Sequence, residues 1–296
     1  MISIIISSAN PDLLKNVTQN IKNTVGVPYE IVSFDNSKGE SGLCKLYNEG
    51  IRKAKFEYLC FMHEDVDIKT FDWGKIVIDH FNKDSQLGLV GLAGSKYKST
   101  IPLGWDSLHL SSNYINIIQE FKNKEKHSTH EYYNPENKSL IEVVCIDGVW
   151  FCSPKNIAKE FLFDEKGLPG FHGYDIDFSL AVGQKYKVAV TSKVLLTHFS
   201  EGQYSLDWFK DIYYIHKKWR NLLPLNLNGI KGKELLKVEE ISFKYILKTY
   251  HEHLSIKEAF DILNASSIRS LSLIKYIRLS YKILRTYYHA RKEASA

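Results

Sequence analysis

The residues able to do chemistry fall into two acidic clusters, each at the edge of an apolar run. The first, His63-Glu64-Asp65-Val66-Asp67, follows directly on Tyr58 to Met62. Carboxylates at the alternate positions 65 and 67, where an extended run opens into a loop, suit a hard divalent cation, which takes oxygen ligands and shares them with phosphates. A strand exit or helix N-cap also uses Asp, so this cluster alone does not decide for a metal. In the second, Asp175 and Asp177 open a helical stretch after the glycine-rich approach Gly170 to Gly173. An extended run from Lys187 to Leu196 follows and ends on Thr197-His198. A carboxylate in the first turn of a helix is kept ionised by the backbone dipole, so it acts as a base only where its surroundings tune it. A histidine at a strand end serves either as a hydrogen-bonding support or as a ligand.

The elements that must position these groups alternate in type. Ile2 to Ile6, Tyr29 to Phe34 and Tyr58 to Met62 are short β-rich runs. Between them Leu13, Leu14, Val17 and Ile21, then Leu43, Leu46, Tyr47, Ile51 and Ala54, recur at helical spacing. That order predicts an α/β fold: a doubly wound, mostly parallel sheet with helices on both faces. Ligands of such sheets bind at the carboxyl ends of the strands, where Ser7-Ser8, Asp35-Asn36 and His63 to Asp67 converge. Further strands are expected over 87–93, 141–151 and 187–196, with a long loop or lid over 99–139. From Leu206 the chain reads as helical, and Pro224 to Gly232 separate a core of residues 1–222 from a helical, basic region of 223–296.

Taken in order, these pieces resemble glycosyltransferase family 2. Gly173-Tyr174-Asp175-Ile176-Asp177-Phe178, then a strand and His198, is similar to the family's Gly-Glu-Asp-x-Asp-Leu, strand and His. Upstream, Asn48-Glu49-Gly50, Ala54, Glu57-Tyr58 and Phe61 resemble the lead-in to the family's metal-binding Asp-x-Asp. Val144 to Phe151, with Asp147-Gly148, and Phe163-Asp164-Glu165 resemble the strand and turn that precede its acidic cluster. The likeness spans about residues 2 to 220. It implies a GT-A fold, and an inverting transfer of sugar from a nucleotide diphosphate donor, UDP-linked, to a hydroxyl of a glycan or lipid-linked acceptor in surface polysaccharide or glycoconjugate synthesis. The resemblance makes Asp175 the base that deprotonates the acceptor. It gives Asp65 and His198 to a Mn²⁺ or Mg²⁺ ion that bridges the diphosphate. Asp35 would meet the nucleobase, with Ser7 and Ser8 nearby, and Asn48, Glu64 and Asp147 are placed at the nucleotide sugar. Asp147 serves a turn equally well.

Two positions depart from the family pattern. His63 stands where the first metal-motif acid is expected, with Glu64 or Asp67 as possible compensation, and Tyr174 stands where Glu is usual. The chemistry needs little else: a cation to neutralise the departing diphosphate and one carboxylate to take the hydroxyl proton. A nucleotidyltransferase would require a glycine-rich, basic phosphate loop after the first strand, and Ser7-Ser8-Ala9-Asn10 is none. A non-catalytic nucleotide-sugar or carbohydrate binder with a degenerate metal site is the competing reading.

Composition agrees with an ordered globular chain: 44% apolar, 25% charged, net charge +5 over 296 residues. No run of about 18 uncharged apolar residues occurs, and the opening residues lack the basic start of a secretory signal, so a cytoplasmic enzyme is expected. Cys44, Cys60, Cys145 and Cys152 show no metal-finger spacing and read as reduced thiols. Basic residues crowd the C-terminal quarter, where Ser266 to Lys292 reads as one helix carrying Lys275, Arg278, Lys282 and Arg285 on a single face. That helix either packs on the protein or contacts the inner face of a membrane. Because the basic surface is confined to the tail and no recognition motif occurs, nucleic acid is not an expected partner.

Overall fold

The computed structural model describes residues 1–121, 126–200, 202 and 204–293. Residues 122–125, part of the expected lid, lie outside the described residues, as do the side chains of Arg291 and Lys292 at the end of the basic tail. Strand β1 (Ile2–Ser8) is buried along nearly its whole length, and Ile5 faces a different core from Ile4 and Ile6, as the two-residue repeat of a pleated strand requires. Helix α1 (Pro11–Thr24) begins where Asn10 Oδ1 accepts from the Asp12 and Leu13 amides and Pro11 takes the first helical position, where no amide is needed. It leads to β2 (Tyr29–Asp35), α2 (Leu43–Lys53) and β3 (Tyr58–Met62). Both β2 and β3 pair in parallel with β1, so that Ile2 is level with Tyr29 and with Tyr58.

The chain continues through β4 (Val66–Ile68), α3 (Trp73–Lys83), β5 (Leu87–Gly91), β6 (Ala93–Ser95), β7 (Tyr97–Lys98), β8 (Asn113–Gln119) and β9 (Thr129–Tyr133). Next come β10 (Leu140–Val143), β11 (Cys145–Ile146), β12 (Trp150–Pro154), α4 (Lys155–Phe161), α5 (Tyr174–Val182), β13 (Lys187–Thr191) and β14 (Leu196–His198). The remainder is α6 (Leu206–Lys218), β15 (Leu225–Asn226), α7 (Gly232–Tyr250), α8 (Ile256–Ala265), α9 (Ile268–Leu271) and α10 (Leu273–Glu293). The main sheet has the order β10-β13-β5-β12-β3-β1-β2. Five of its seven strands run the same way, with β12 and β10 opposed, which is the expected mostly parallel, doubly wound GT-A arrangement. One core lies between the sheet and α2, α4, α5 and α6, and a second lies on the α1 and α3 side. A third joins α7 to α10 with Ile101, Leu103 and Phe209. All four cysteines are buried free thiols.

Five local expectations are corrected. Segment 99–139 is not a plain loop or lid: it supplies β8 and β9 to a second sheet of order β11-β6-β8-β14-β4. The exposed, polar β9 has no alternating pattern to betray it. The run 187–196 is not one strand, because β13 ends at Thr191 in the main sheet and the chain crosses to the second sheet as β14. Likewise 87–93 and 141–151 divide between the two sheets. Finally, the basic tail is broken at Ser272, whose extended backbone ends α9 and whose Oγ accepts from the Lys275 amide to start α10.

Candidate active site

Sheet crossing is what assembles the site. Antiparallel pairing of β14 with β4 sets His198 level with Val66, and the Phe199 amide donates to the Asp65 carbonyl at 3.0 Å. His198 Nε2 then lies 3.6 Å from Asp65 Oδ1, and His63 Nδ1 lies 3.8 Å from the same oxygen. The three donor atoms fall within 4.8 Å of one another. Asp65 Oδ2 accepts from Ser200 Oγ at 2.5 Å. Burial works against the charged carboxylate, but the two imidazoles in their protonated, cationic form and the serine hydroxyl outweigh it and hold Asp65 below the ordinary Asp range.

Each imidazole is turned by a partner behind it. Gln119 Nε2 donates to the Ser200 carbonyl at 3.0 Å, so its Oε1 is the atom 3.3 Å from His198 Nδ1 and receives that proton. In the neutral ring the His198 lone pair is thereby on Nε2, the nitrogen that faces Asp65. On the other side, His63 Nε2 lies 3.0 Å from the Tyr174 hydroxyl, which is 3.1 Å from the Gly148 carbonyl. That carbonyl only accepts, so Tyr174 donates to it and receives a proton from His63 Nε2. This assigns the His63 lone pair to Nδ1, the nitrogen facing Asp65. Gly148 is required here, since a Cβ would come within 2.2 Å of the Tyr174 oxygen. Two imidazole nitrogens and one carboxylate oxygen, with both tautomers set from behind, fit a divalent metal ion.

His63 lies between two clefts. The first, of about 330 Å³, is lined by Ser7, Asn36, Ser37, Glu64 and Asp65 at the carboxyl ends of β1 to β3. Glu64 shapes its rim, accepting from Ser8 Oγ at 2.6 Å and from the Ala9 and Asn10 amides at 3.0 and 3.2 Å. The second, of about 460 Å³, is lined by Asp147, Asp175, His198, Trp105 and His172 among others. Gly173, at φ +75°, turns the chain into α5 and lets it pass Ile215, whose Cδ1 a Cβ would meet at 2.4 Å. Asp175 is half-buried on the first turn of α5. Burial, then the nearby charge of Asp147, pushes its carboxyl up to about 7 against the pull of backbone amides. A carboxylate that titrates near neutrality, open to a cleft beside a metal-type cluster, is suited to accept a proton from a bound hydroxyl.

Residues 3–214 match the glycosyltransferase-like family, well over half the chain. The protein belongs to this family. Its fold is similar to that of Staphylococcus aureus TarS 1–349, with a TM-score of 0.56 at 11% identity over 98% of this chain and 91% of that one. TarS 1–349 in complex with UDP-GlcNAc gives 0.55 at 11% identity, over 98% and 92%. GalNAc-T7 with UDP, GalNAc and Mn²⁺ gives 0.52 at 13%, over 85% of this chain but 56% of that one, so the chain spans little more than half of GalNAc-T7. None of the curated proteins is similar in sequence.

Within this glycosyltransferase-like chain the expected residues separate by location. Asp65 and His198 come together, joined by His63, while Asp175 and Asp147 share the larger cleft. Asp147 Oδ1 also accepts from the Val149 amide at 2.8 Å, so it makes its turn while lining the cleft. Ser7 lines the smaller cleft, and Ser8 is buried against Glu64. Asp35 is exposed at the end of β2, its carboxylate accepting from the Ser37 amide at 3.0 Å. Asn48 is buried, and both ends of its amide are taken by the Phe163 backbone, at 2.9 and 2.8 Å. Asp67 is committed to Asn20 and to Lys69. Asp177 is buried against Trp219 Nε1 at 2.7 Å and Lys218 at 2.9 Å, fastening α6 to α5. Trp150 packs on Trp73 in the core, whereas Trp105 reaches the cleft. The sequence alone does not single out Gln119 and Ser200, which support the cluster, nor Asp106 and Glu131, which line the larger cleft. Ser200 had a signal, its place two residues beyond His198, but the others sit in the segment 99–139 that reads as a loop.

Proposed function

We propose that the protein is an inverting glycosyltransferase that moves a hexosyl group from a UDP-linked donor to a hydroxyl of a glycan or lipid-linked acceptor, in surface polysaccharide or glycoconjugate synthesis. The observation that carries this reading is one cleft lined both by His63 and His198 of the His63–Asp65–His198 cluster and by the neutral-range carboxyl of Asp175. The UDP-GlcNAc of the TarS complex and the UDP of the GalNAc-T7 structure support the choice of nucleotide. The catalytic part is assigned to residues 1–222, with 223–296 as an appended helical region.

In this scheme the diphosphate lies in the smaller cleft by Ser7 and the β1–α1 turn that Glu64 supports, and the sugar and acceptor occupy the larger one. Asp65, His198 and His63 Nδ1 would hold the ion, for which we choose Mn²⁺ over Mg²⁺ because two of three donors are imidazole nitrogens. When bound, such an ion supplies positive charge to the departing diphosphate. Asp175 takes the acceptor proton as the hydroxyl oxygen bonds to the anomeric carbon and the carbon–phosphate oxygen bond breaks. One base and one displacement invert the anomeric centre, with no carboxylate nucleophile needed. Asp147 raises the proton affinity of Asp175, and Trp105 offers an aromatic wall to a sugar ring.

The test is release of UDP from a panel of UDP-sugars with Mn²⁺, with Mg²⁺ and with chelator. Mn²⁺-dependent release from at least one donor is expected. Donor binding without release from any of them would mean a binding protein, and release unaffected by chelator would remove the metal role.

A further inference from the structure

The last helix leaves a surface that the other described residues do not cover. Residues advance about 100° each around a helix, which divides the side of α10 into three arcs. Leu279 and Ile283 are buried in the third core, with Tyr276 and Tyr287 half-buried beside them. Leu273, Ile274, Ile277, Tyr281, Leu284 and Tyr288 fall together in a second arc of about 100°, and each is 51–67% exposed. Six large apolar side chains in one open stripe exceed the scattered exposure ordinary for a surface helix. Arg278, Lys282 and Arg285 are exposed in the third arc, directly alongside the stripe.

Charge decides what fits this surface. Lys275 is turned inward to Glu240 at 2.9 Å, but no carboxylate among the described residues pairs with Arg278, Lys282 or Arg285. Residues 273–290 contain no acid at all. A second copy docked antiparallel through the same stripe would set two cationic rows side by side, with nothing to neutralise them. An anionic lipid surface satisfies both arcs at once: headgroups meet the cations while the acyl boundary takes the apolar stripe. Tyr281 and Tyr288, apolar rings with a polar tip, suit the headgroup level. No helix among the described residues is long and apolar enough to cross a membrane, so the contact is one of lying on the surface.

We propose that α10 lies flat on an anionic membrane surface through Ile274, Ile277, Tyr281, Leu284 and Tyr288, with Arg278, Lys282 and Arg285 on the headgroups. The proposal does not depend on the sugar-transfer reading, since it is read out by binding alone. The experiment is co-sedimentation of the full chain with phosphatidylcholine vesicles, with and without phosphatidylglycerol, at low and high salt. The parent partitions onto the anionic vesicles and is released as salt rises. R278Q/K282Q/R285Q lowers that partition roughly 100-fold, from about fivefold per cation. I277S/L284S lowers it roughly tenfold or more, with far-ultraviolet circular dichroism and Tm unchanged because both side chains are exposed. A parent that ignores anionic vesicles, or partition that neither variant changes, overturns the proposal. So does a parent that dimerises without lipid and is made monomeric by I277S/L284S.

Discussion

Replacing Asp175 with Asn should slow the enzyme and stabilise the fold together. In the folded chain the carboxyl is pushed from 3.8 to about 7, chiefly by burial and then by Asp147. A raised pKa in an acid means that the folded state holds its proton more tightly than the unfolded state does. The cost is therefore absent below about pH 4, grows between 4 and 7, and is complete above 7. About three pKa units correspond to roughly 4 kcal/mol. Asp175 is half-buried and lines an open cleft, and discounting for solvent screening halves this to about 2 kcal/mol. Asn keeps the size and the amide contacts without the charge. For a chain of this length Tm should rise by roughly 4 °C at pH 8, with the gain shrinking toward zero at pH 4. Turnover should fall roughly 10²- to 10⁴-fold, because the proton acceptor is gone, while donor binding stays near parental. Thermal melts across pH 4 to 8 and initial rates at saturating donor read both effects, and the Tm gain excludes misfolding as the cause of lost turnover. Near-parental turnover, or no Tm gain at pH 8, refutes the reasoning.

Three other outcomes follow from the same geometry. Asp147→Asn removes the neighbouring charge, so the acid limb of the kcat/KM profile, expected near pH 7, should move to lower pH; an unmoved midpoint would mean the two carboxylates do not interact. Tyr174→Phe keeps the ring packed on Tyr47 but deprives His63 Nε2 of its acceptor, and Mn²⁺ affinity by calorimetry should drop roughly 10- to 100-fold with the fold intact. Asp65→Ala should abolish Mn²⁺ enhancement of UDP binding, with His63→Ala and His198→Ala weakening it; calorimetry that finds no Mn²⁺ effect on the parent would dismiss the cluster as a metal site.

Much of this protein is decided locally. The strand–helix alternation through residue 62 follows from apolar spacing and punctuation such as Asn10-Pro11, and both acidic clusters stand out by residue type and position. The candidate base was legible because Gly173 and the helix start place Asp175 from nearby residues alone. What the tertiary structure decided is everything that depends on partners far along the chain. The two departures from the family pattern, His63 and Tyr174, prove to be one hydrogen-bonded unit across 111 residues, and the His63 imidazole clusters with Asp65 and His198 while Glu64 and Asp67 are bonded elsewhere. Glu64 and Asn48 have the types of ligand-binding residues, yet their polar atoms are spent on the Ser8–Asn10 turn and on the Phe163 backbone. The four cations of the tail look equivalent in sequence, whereas packing turns Lys275 inward and leaves the other three outward. Spacing reports which residues share a face of one element. Only the pairing of distant elements, such as β14 against β4, determines which atoms face each other and which proton each of them keeps.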